Sequence, residues 1–330
     1  MLERVAKQIY NEIKKAEHIL LVPHQNPDGD ALGSATALMH FLKNINKDHT
    51  VFCATSAEDK LHFLPYVEEL TTEEAVWEES YFDLVIVLDS GDLEYAGIDE
   101  YIEKIEHKPK IINIDHHDQN TNFGDLNLVI PSAASTTQIL YNFFVQNNIQ
   151  IDSYTATCLL TGILTDTDNF TNAATTVTSL EIAGNLVKKG GKIQMIKQIM
   201  FQDKSIEALK LWGQALSRLS KHDDHKIVYT YLTQDDLDEF EVSEEDTKGI
   251  ANFMNALEEG DAALILKERS DGKIKGSFRT TKDSVDVSKI AQALGGGGHK
   301  KASGFKSEKN LEETLEQVWE AISKIKEENK

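Results

Sequence analysis

Four short segments of this 330-residue chain concentrate histidine and carboxylate side chains. They are His24-Gln25-Asn26-Pro27-Asp28-Gly29-Asp30, Asp89, Asp115-His116-His117-Asp118, and Asp166 within Thr165-Asp166-Thr167. Each has an ordinary explanation when taken alone. The first reads as a polar turn with Asp30 as helix N-cap, and an aspartate beside Ser90 and Gly91 is a common strand-ending turn. Asp166 simply terminates a helix, although a carboxylate there opposes the helix dipole. Together the segments supply imidazole and carboxylate donors without a thiolate, a set that suits Mn²⁺ or Mg²⁺ better than structural zinc. The carboxylates outnumber the needs of one ion. Two ions sharing a bridging carboxylate would neutralise the cluster, and such pairs are a known device for phosphoester hydrolysis.

The elements that must position these residues are legible as an α/β pattern. HILLVPH (18–24), TVFCA (50–54), FDLVIVLDS (82–90) and KIINIDHHD (110–118) read as strands, and VIVL and IINI as runs buried on both faces of a parallel sheet. Helical patterns cover 2–17, 31–44, 92–106, 135–148, 154–166 and 176–189, with the capping-box spacing Ser135/Gln138 opening one of them. In open α/β sheets ligands bind at the carboxyl edge of the strands, where three of the acidic segments fall. In extended chain, residues 24, 26, 28 and 30 would point to one side. Periodicity breaks at Gly190-Gly191, and one or two bridging helices follow. The pattern then changes to strands 227–232, 262–269 and 273–280 with helices near 245–257, 286–294 and 309–326. The expected architecture is a parallel-sheet α/β domain over 1–190, a helical linker over 191–222 and a smaller α+β domain over 223–330.

The second domain carries its own chemistry. Gly295-Gly296-Gly297-Gly298-His299-Lys300-Lys301 spends backbone entropy on four glycines. That suggests close approach of backbone to a phosphate, although one glycine would satisfy a helix C-cap. Residues 273–301 hold seven Lys/Arg against two acids, a basic island of +5 that favours a small anion, with Arg279 placed for bidentate phosphate contact. His222-Asp223-Asp224-His225 has metal-like composition but precedes a strand and reads better as a polar turn.

Composition bounds the rest. With 34 Lys+Arg against 55 Asp+Glu the formal charge is −21, which disfavours broad binding to duplex nucleic acid. No apolar run approaches the ~20 residues of a membrane helix. The N-terminus lacks a signal-peptide core, and two cysteines, Cys53 and Cys158, support neither a disulfide framework nor a thiolate zinc site. A soluble, cytoplasmic protein is expected.

His24-x-Asn-Pro-Asp28-Gly-Asp30, the strand-end Asp89, Asp115-His116-His117 and Thr165-Asp166-Thr167, in that order, resemble the four signature motifs of the DHH phosphoesterase superfamily. GGGGH with the upstream Ser277-Phe278-Arg279 resembles the DHH-associated C-terminal domain, and chain size is similar to the nanoRNase/pAp-phosphatase branch. The resemblance implies one manganese held by His24, Asp28 and Asp89, and another by Asp30, Asp89, His116 and Asp166. Asp115 would orient a histidine, and His117 would face the scissile phosphate. Arg279, His299 and the loop Gly296, Gly297 and Gly298 would hold a terminal phosphate or the nucleotide. The implied activity is hydrolysis of short single-stranded oligonucleotides, or of pAp to AMP, by in-line attack of a hydroxide bridging two cations. A cyclic-dinucleotide phosphodiesterase, a pyrophosphate or polyphosphate hydrolase and a non-catalytic nucleotide sensor are the alternatives. Oligomeric state stays open, a homodimer included. Two positions depart from the family pattern: Asp168 stands where Gly is frequent, and Ser303 where Ala is frequent.

Overall fold

The computed structural model describes residues 2–79, 81–106, 108–201, 204–247, 249–254 and 257–328. The chain divides into two compact units, Met1–Asp203 and Lys204–Lys330, so the helices Ile193–Phe201 and Ile206–Ser217 of the expected linker belong one to each unit.

In the first unit, β1 (His18–Pro23), β2 (Asp48–Phe52), β3 (Leu70–Thr71), β4 (Leu84–Leu88), β5 (Lys110–Asp115) and β6 (Leu126–Val129) form one sheet in the order β3-β2-β1-β4-β5-β6. Every pairing in it is parallel. The apolar runs are buried on both faces because successive side chains alternate between two cores. Ile19, Leu21, Leu84, Ile86 and Leu88 pack with the helices on one side. Leu20, Val22, Val85 and Val87 pack with Phe52, Trp77, Phe82 and Ile98 on the other. Strand order reverses direction between β1 and β4, the topological switch point where such sheets open a crevice.

The helix Gly29–Asn44 leaves β1 and lies against the helix Ser153–Asp166. A Cβ on Gly33 would stand 2.5 Å from the Cys158 carbonyl oxygen, and one on Gly162 would run into Asp30 and Thr137. These two glycines let the helices cross at backbone contact distance.

The second unit holds β7 (Ser220–His222), β8 (Ile227–Leu232), β9 (Ala262–Glu268), β10 (Ile274–Arg279), β11 (Gly297–His299) and β12 (Ala302–Ser307), ordered β11-β12-β10-β9-β8-β7. Only β8 and β9 run parallel among these pairs. Leu264 and Leu266 face a core with the helices Val287–Ala293 and Leu311–Glu328, while Ala263 and Ile265 face one with Ile206–Ser217.

Several expectations are corrected. The helix expected over 92–106 is two short helices, Leu93–Ala96 and Asp99–Lys104, because Gly97 takes a left-handed φ of 71° and stops the first. The helix expected near 245–257 is a 3₁₀ turn, Glu244–Thr247, and one helical turn, Ile250–Phe253; residues 248, 255 and 256 lie outside the described set. β3, β7, β11 and β12 carry too few apolar residues to be read as strands from periodicity, and β6, though mostly apolar, is only four residues long.

A methyl group at Gly33 meets a backbone oxygen that cannot turn aside. Gly33→Ala is therefore expected to destabilise the protein by about 1–3 kcal/mol. The check is a lower urea midpoint at unchanged slope; an unchanged midpoint would show that the helices have room to separate.

Candidate metal centre

Sheet register decides which residues leave the first sheet together. Pro23 pairs with Leu88, and Leu88 with Ile114, so His24, Asp89 and Asp115 emerge at one level of the carboxyl edge. Asp89 does so with a φ of 59°, a conformation aspartate tolerates better than most side chains. Asp166 ends its helix from the opposite side. Thr165 and Thr167 bond back to the Thr161 and Ile163 carbonyls, fixing the turn that presents it.

Three groups of ligating atoms result, His24/Asp28/Asp89, Asp30/His116/Asp166 and Asp89/His116/His117. Asp89 is shared. Its Oδ2 lies 3.7 Å from His24 Nε2 and its Oδ1 3.6 Å from His116 Nε2. His24 Nε2 is also 3.8 Å from Asp28 Oδ1, and His116 Nε2 3.2 Å from Asp166 Oδ2.

The imidazoles are oriented from behind. His24 Nδ1 donates to the Gln25 carbonyl oxygen at 2.7 Å and His116 Nδ1 to that of Ala133 at 3.4 Å. Since a carbonyl only accepts, Nδ1 carries a hydrogen in both rings, and Nε2 is the atom that faces the carboxylates and can ligate a cation once its own proton leaves. His117 Nδ1 donates to Asp115 Oδ1 at 2.7 Å, and Asp115 Oδ2 accepts from Asn120 Nδ2 at 2.6 Å. Tyr95 stacks on His24 with ring centroids 5.0 Å apart.

Asp30 is wholly buried, and the start of the helix Thr136–Gln146 holds it. It accepts from the backbone N–H of Thr136 at 2.6 Å and of Thr137 at 2.9 Å, and from Thr137 Oγ1 at 2.7 Å. Thr136 Oγ1 donates to Asp89 at 2.8 Å. A helix N-terminus is a natural anion site. Sequence reasoning found this helix start but not its role, nor Asn120 or Tyr95. The signal available was Ser135/Gln138, and Ser135 does cap the helix while Gln138 reaches the Ala134 N–H.

Three expectations change here. Asp28, not Asp30, is the N-cap of Gly29–Asn44, accepting from the Asp30 and Ala31 N–H groups. Asn26 has a φ of 53°, so the segment is not extended and Asn26 leaves the row of ligands. Asp118 is exposed and lies outside the three groups. Asp168 takes a φ of 49°, doing as aspartate what a glycine does easily.

Electrostatics match a cation site. Burial raises Asp30 to about 7, with the Asp89 charge adding to it. Burial and the charges of Asp28 and Asp166 raise Asp89 to about 6. Burial and Asp30 raise Asp166 to about 7. Burial opposes protonation of the histidines, but hydrogen bonding to Asp28 and the Asp89 charge outweigh it and lift His24 to about 9. Asp166, Asp30 and Asp89 likewise lift His116 to about 10. Protons thus occupy positions where divalent cations would satisfy the same oxygens and nitrogens, so the donor set fits such ions.

In the second unit, part of the glycine run is engaged in the fold. Gly295, with a φ of 76°, ends the helix Val287–Ala293, and the Gly296 N–H bonds the Ala291 carbonyl in a Schellman closure. A Cβ on Gly296 or Gly298 would meet the backbone of β12, and Gly297–His299 is an exposed edge strand. Arg279 Nε donates to Asn252 Oδ1 at 2.9 Å and its Nη1 to the Phe278 carbonyl at 2.8 Å. The +5 island is offset by acids outside it: Lys273 pairs with Glu308, Lys275 with Glu244 and Lys282 with Asp261. Ser303 Oγ bonds the Val287 carbonyl inside the sheet. His222 and His225 stack on each other and beside Trp319.

Among known proteins, a family model described as "DHH family, N-terminal domain" matches residues 18–163, and a DHHA1 domain model matches 224–327. The bifunctional oligoribonuclease and PAP phosphatase NrnA of Thermus thermophilus is 32% identical over 309 residues, covering 92% of this chain and 89% of that one. The Bacillus subtilis protein of the same name is 26% identical over 300 residues, covering 90% and 91%. A solved exopolyphosphatase-related protein from Bacteroides fragilis has the same fold, with a TM-score of 0.89 at 24% identity over 98% of this chain and 96% of that one. No helix among the described residues is long and apolar enough to cross a membrane.

The raised carboxylates and histidines carry more protons in the folded protein stripped of metal than in the unfolded chain. Its stability therefore falls as pH rises, through the carboxylates from about 4 to 7 and through the histidines up to 9–10. A bound cation displaces those protons. The gain in melting temperature on adding Mn²⁺ to chelator-treated protein should thus be larger at pH 9 than at pH 6, and an equal gain at both would contradict the assignment.

Proposed function

We propose that this chain, which belongs to the DHH family and is a phosphoesterase, hydrolyses short oligonucleotides and pAp with the help of two divalent cations, manganese foremost. The observation that carries the reading is Asp89, whose two carboxylate oxygens face two different histidine–aspartate groups. His24, Asp28 and Asp89 would hold one cation, and Asp30, Asp89, His116 and Asp166 the other. Bound there, such a pair supplies Lewis acidity and neutralises charge on a phosphoryl group.

The chain's own residues prepare the reaction. Thr136 and Thr137 hold Asp30 and Asp89 in place by four hydrogen bonds, so neither carboxylate reorganises when charge builds. Hydrogen bonding to Asp115 raises the pKa of His117 and so favours its imidazolium, whose Nε2–H would donate to a phosphate oxygen. Asn120 keeps Asp115 in that orientation. In the second unit, Arg279 and His299, with Gly296, Gly297 and Gly298, would grip a terminal phosphate or the nucleotide. The NrnA relatives, named for oligoribonuclease and PAP phosphatase activities and similar along nearly their whole length, support this substrate class.

A panel of a dinucleotide, a short oligomer, pAp, cyclic di-AMP and pyrophosphate, assayed with Mn²⁺ and again after chelation, tests the reading. Metal-dependent release of mononucleotides and AMP from the first three is expected. Preferential cleavage of cyclic di-AMP or pyrophosphate, or nucleotide binding without turnover, would replace it. Asp89→Ala should abolish turnover with every substrate while the fold persists by circular dichroism. Arg279→Ala should raise KM about tenfold and leave kcat nearly unchanged, since it removes binding and not chemistry; a collapse of kcat would move Arg279 into the reacting centre.

A further inference from the structure

β9, β10 and β12 lie side by side, and their register sets Lys267 opposite Lys275 and Lys275 opposite Lys306. Directly opposed residues share a face of the sheet, so three ammonium groups stand in one row across it. Like charges so placed destabilise a sheet, and little offsets them here. Among the described residues the row has one ion pair, Lys275 with Glu244 at 3.7 Å, and Glu244 also serves Arg269 at 3.8 Å. Lys267 Nζ donates to neutral oxygens, Thr247 Oγ1 at 2.6 Å and the Thr247 carbonyl at 3.3 Å. Burial and the Lys275 charge lower it to about 8, against the pull of Glu244.

Lys275 and Lys306 are exposed, and a cavity of about 300 Å³ opens between them, lined also by Gly276, Gly304 and the Gly295-Gly296 turn. Arg279 stands on the same face of β10, four residues on, which is about 13 Å of strand. Between the two levels lie Ser277 and, opposite it, Gly304, so the floor of the interval is low.

We propose that the lysine row is a second phosphate site, holding a backbone phosphate of a single-stranded oligonucleotide beyond the phosphate gripped at Arg279. The inference rests on the reading of this chain as an oligonucleotide hydrolase and deepens it. A lone phosphate cannot occupy both levels, whereas an extended strand carries a phosphate at every nucleotide and can. A cationic groove that follows the backbone is how proteins hold single strands without reading their sequence. The cost of opposing lysines in the free protein is relieved when a polyanion lies across them.

Fluorescence anisotropy of a labelled, phosphorothioate-linked pentamer that resists turnover, on the full chain with Mn²⁺, tests it. Lys275→Gln with Lys306→Gln should weaken binding about tenfold at low salt and flatten the slope of log Kd against log salt by about 1.4, the loss of two contacts to a single strand. Circular dichroism should not change, since both side chains are exposed. Lys289→Gln with Lys324→Gln makes the same charge change on exposed positions of the helices across the sheet, and should bind as the wild type does. A phosphorothioate dinucleotide, competed against the pentamer, should lose less than the pentamer on the Lys275/Lys306 change. A wild type that does not bind the pentamer overturns the proposal, as do equal losses for dinucleotide and pentamer or equal losses for the two double variants. Hydrolysis of pentamers with binding indifferent to Lys275 and Lys306 sinks this inference alone. Lysine-dependent binding without hydrolysis of the ordinary pentamer sinks the catalytic reading alone.

Discussion

Carboxylates buried within reach of one another repel, and water is not there to screen them. The first unit is organised around that repulsion. Asp30 and Asp89 are buried and Asp166 partly so, yet each stays close to the others because something positive or hydrogen-bonding faces it. A helix N-terminus holds Asp30, the Thr136 hydroxyl holds Asp89, and two imidazoles stand between the acids. Burial pushes the acids up and the acids push the histidines up, which is how a site poised to exchange protons for cations titrates.

Remote features of the fold follow from the same constraint. Gly162 is a glycine because Asp30 and Thr137 occupy the space its side chain would need. Gly33 admits the helix crossing that brings Asp166 to His116. Strand order places the switch point between β1 and β4, so one edge delivers His24 and Asp89 side by side. Behind them, Gln25, Ala133 and Asp115 engage one nitrogen of each imidazole and aim the other.

Much of this was legible in the residues. VIVL and IINI announced a sheet covered on both faces, and the acidic segments fell at strand ends because only there does a polar run interrupt a buried one. What stayed hidden was of two kinds. Thr136 and Thr137 contact Asp30 from 106 and 107 residues away, and no local pattern encodes a contact of that length. Short or glycine-built strands such as Gly297–His299 owe their form to pairing with β12, not to propensity. For the same reason, composition does not announce that Gly295 and Gly296 also serve a helix end and that Gly296 and Gly298 allow tight packing on β12. Counting charge along 273–301 misled, since Glu244, Asp261 and Glu308 come from outside that window.

At the centre of the site, one carboxylate would serve two cations. Anomalous diffraction at the manganese edge, from crystals grown with Mn²⁺, tests that directly. Two peaks about 3.5–4 Å apart are expected, one on either side of Asp89, with His24 ligating the first and His116 the second. A single peak, or two peaks with Asp89 touching only one of them, would contradict it.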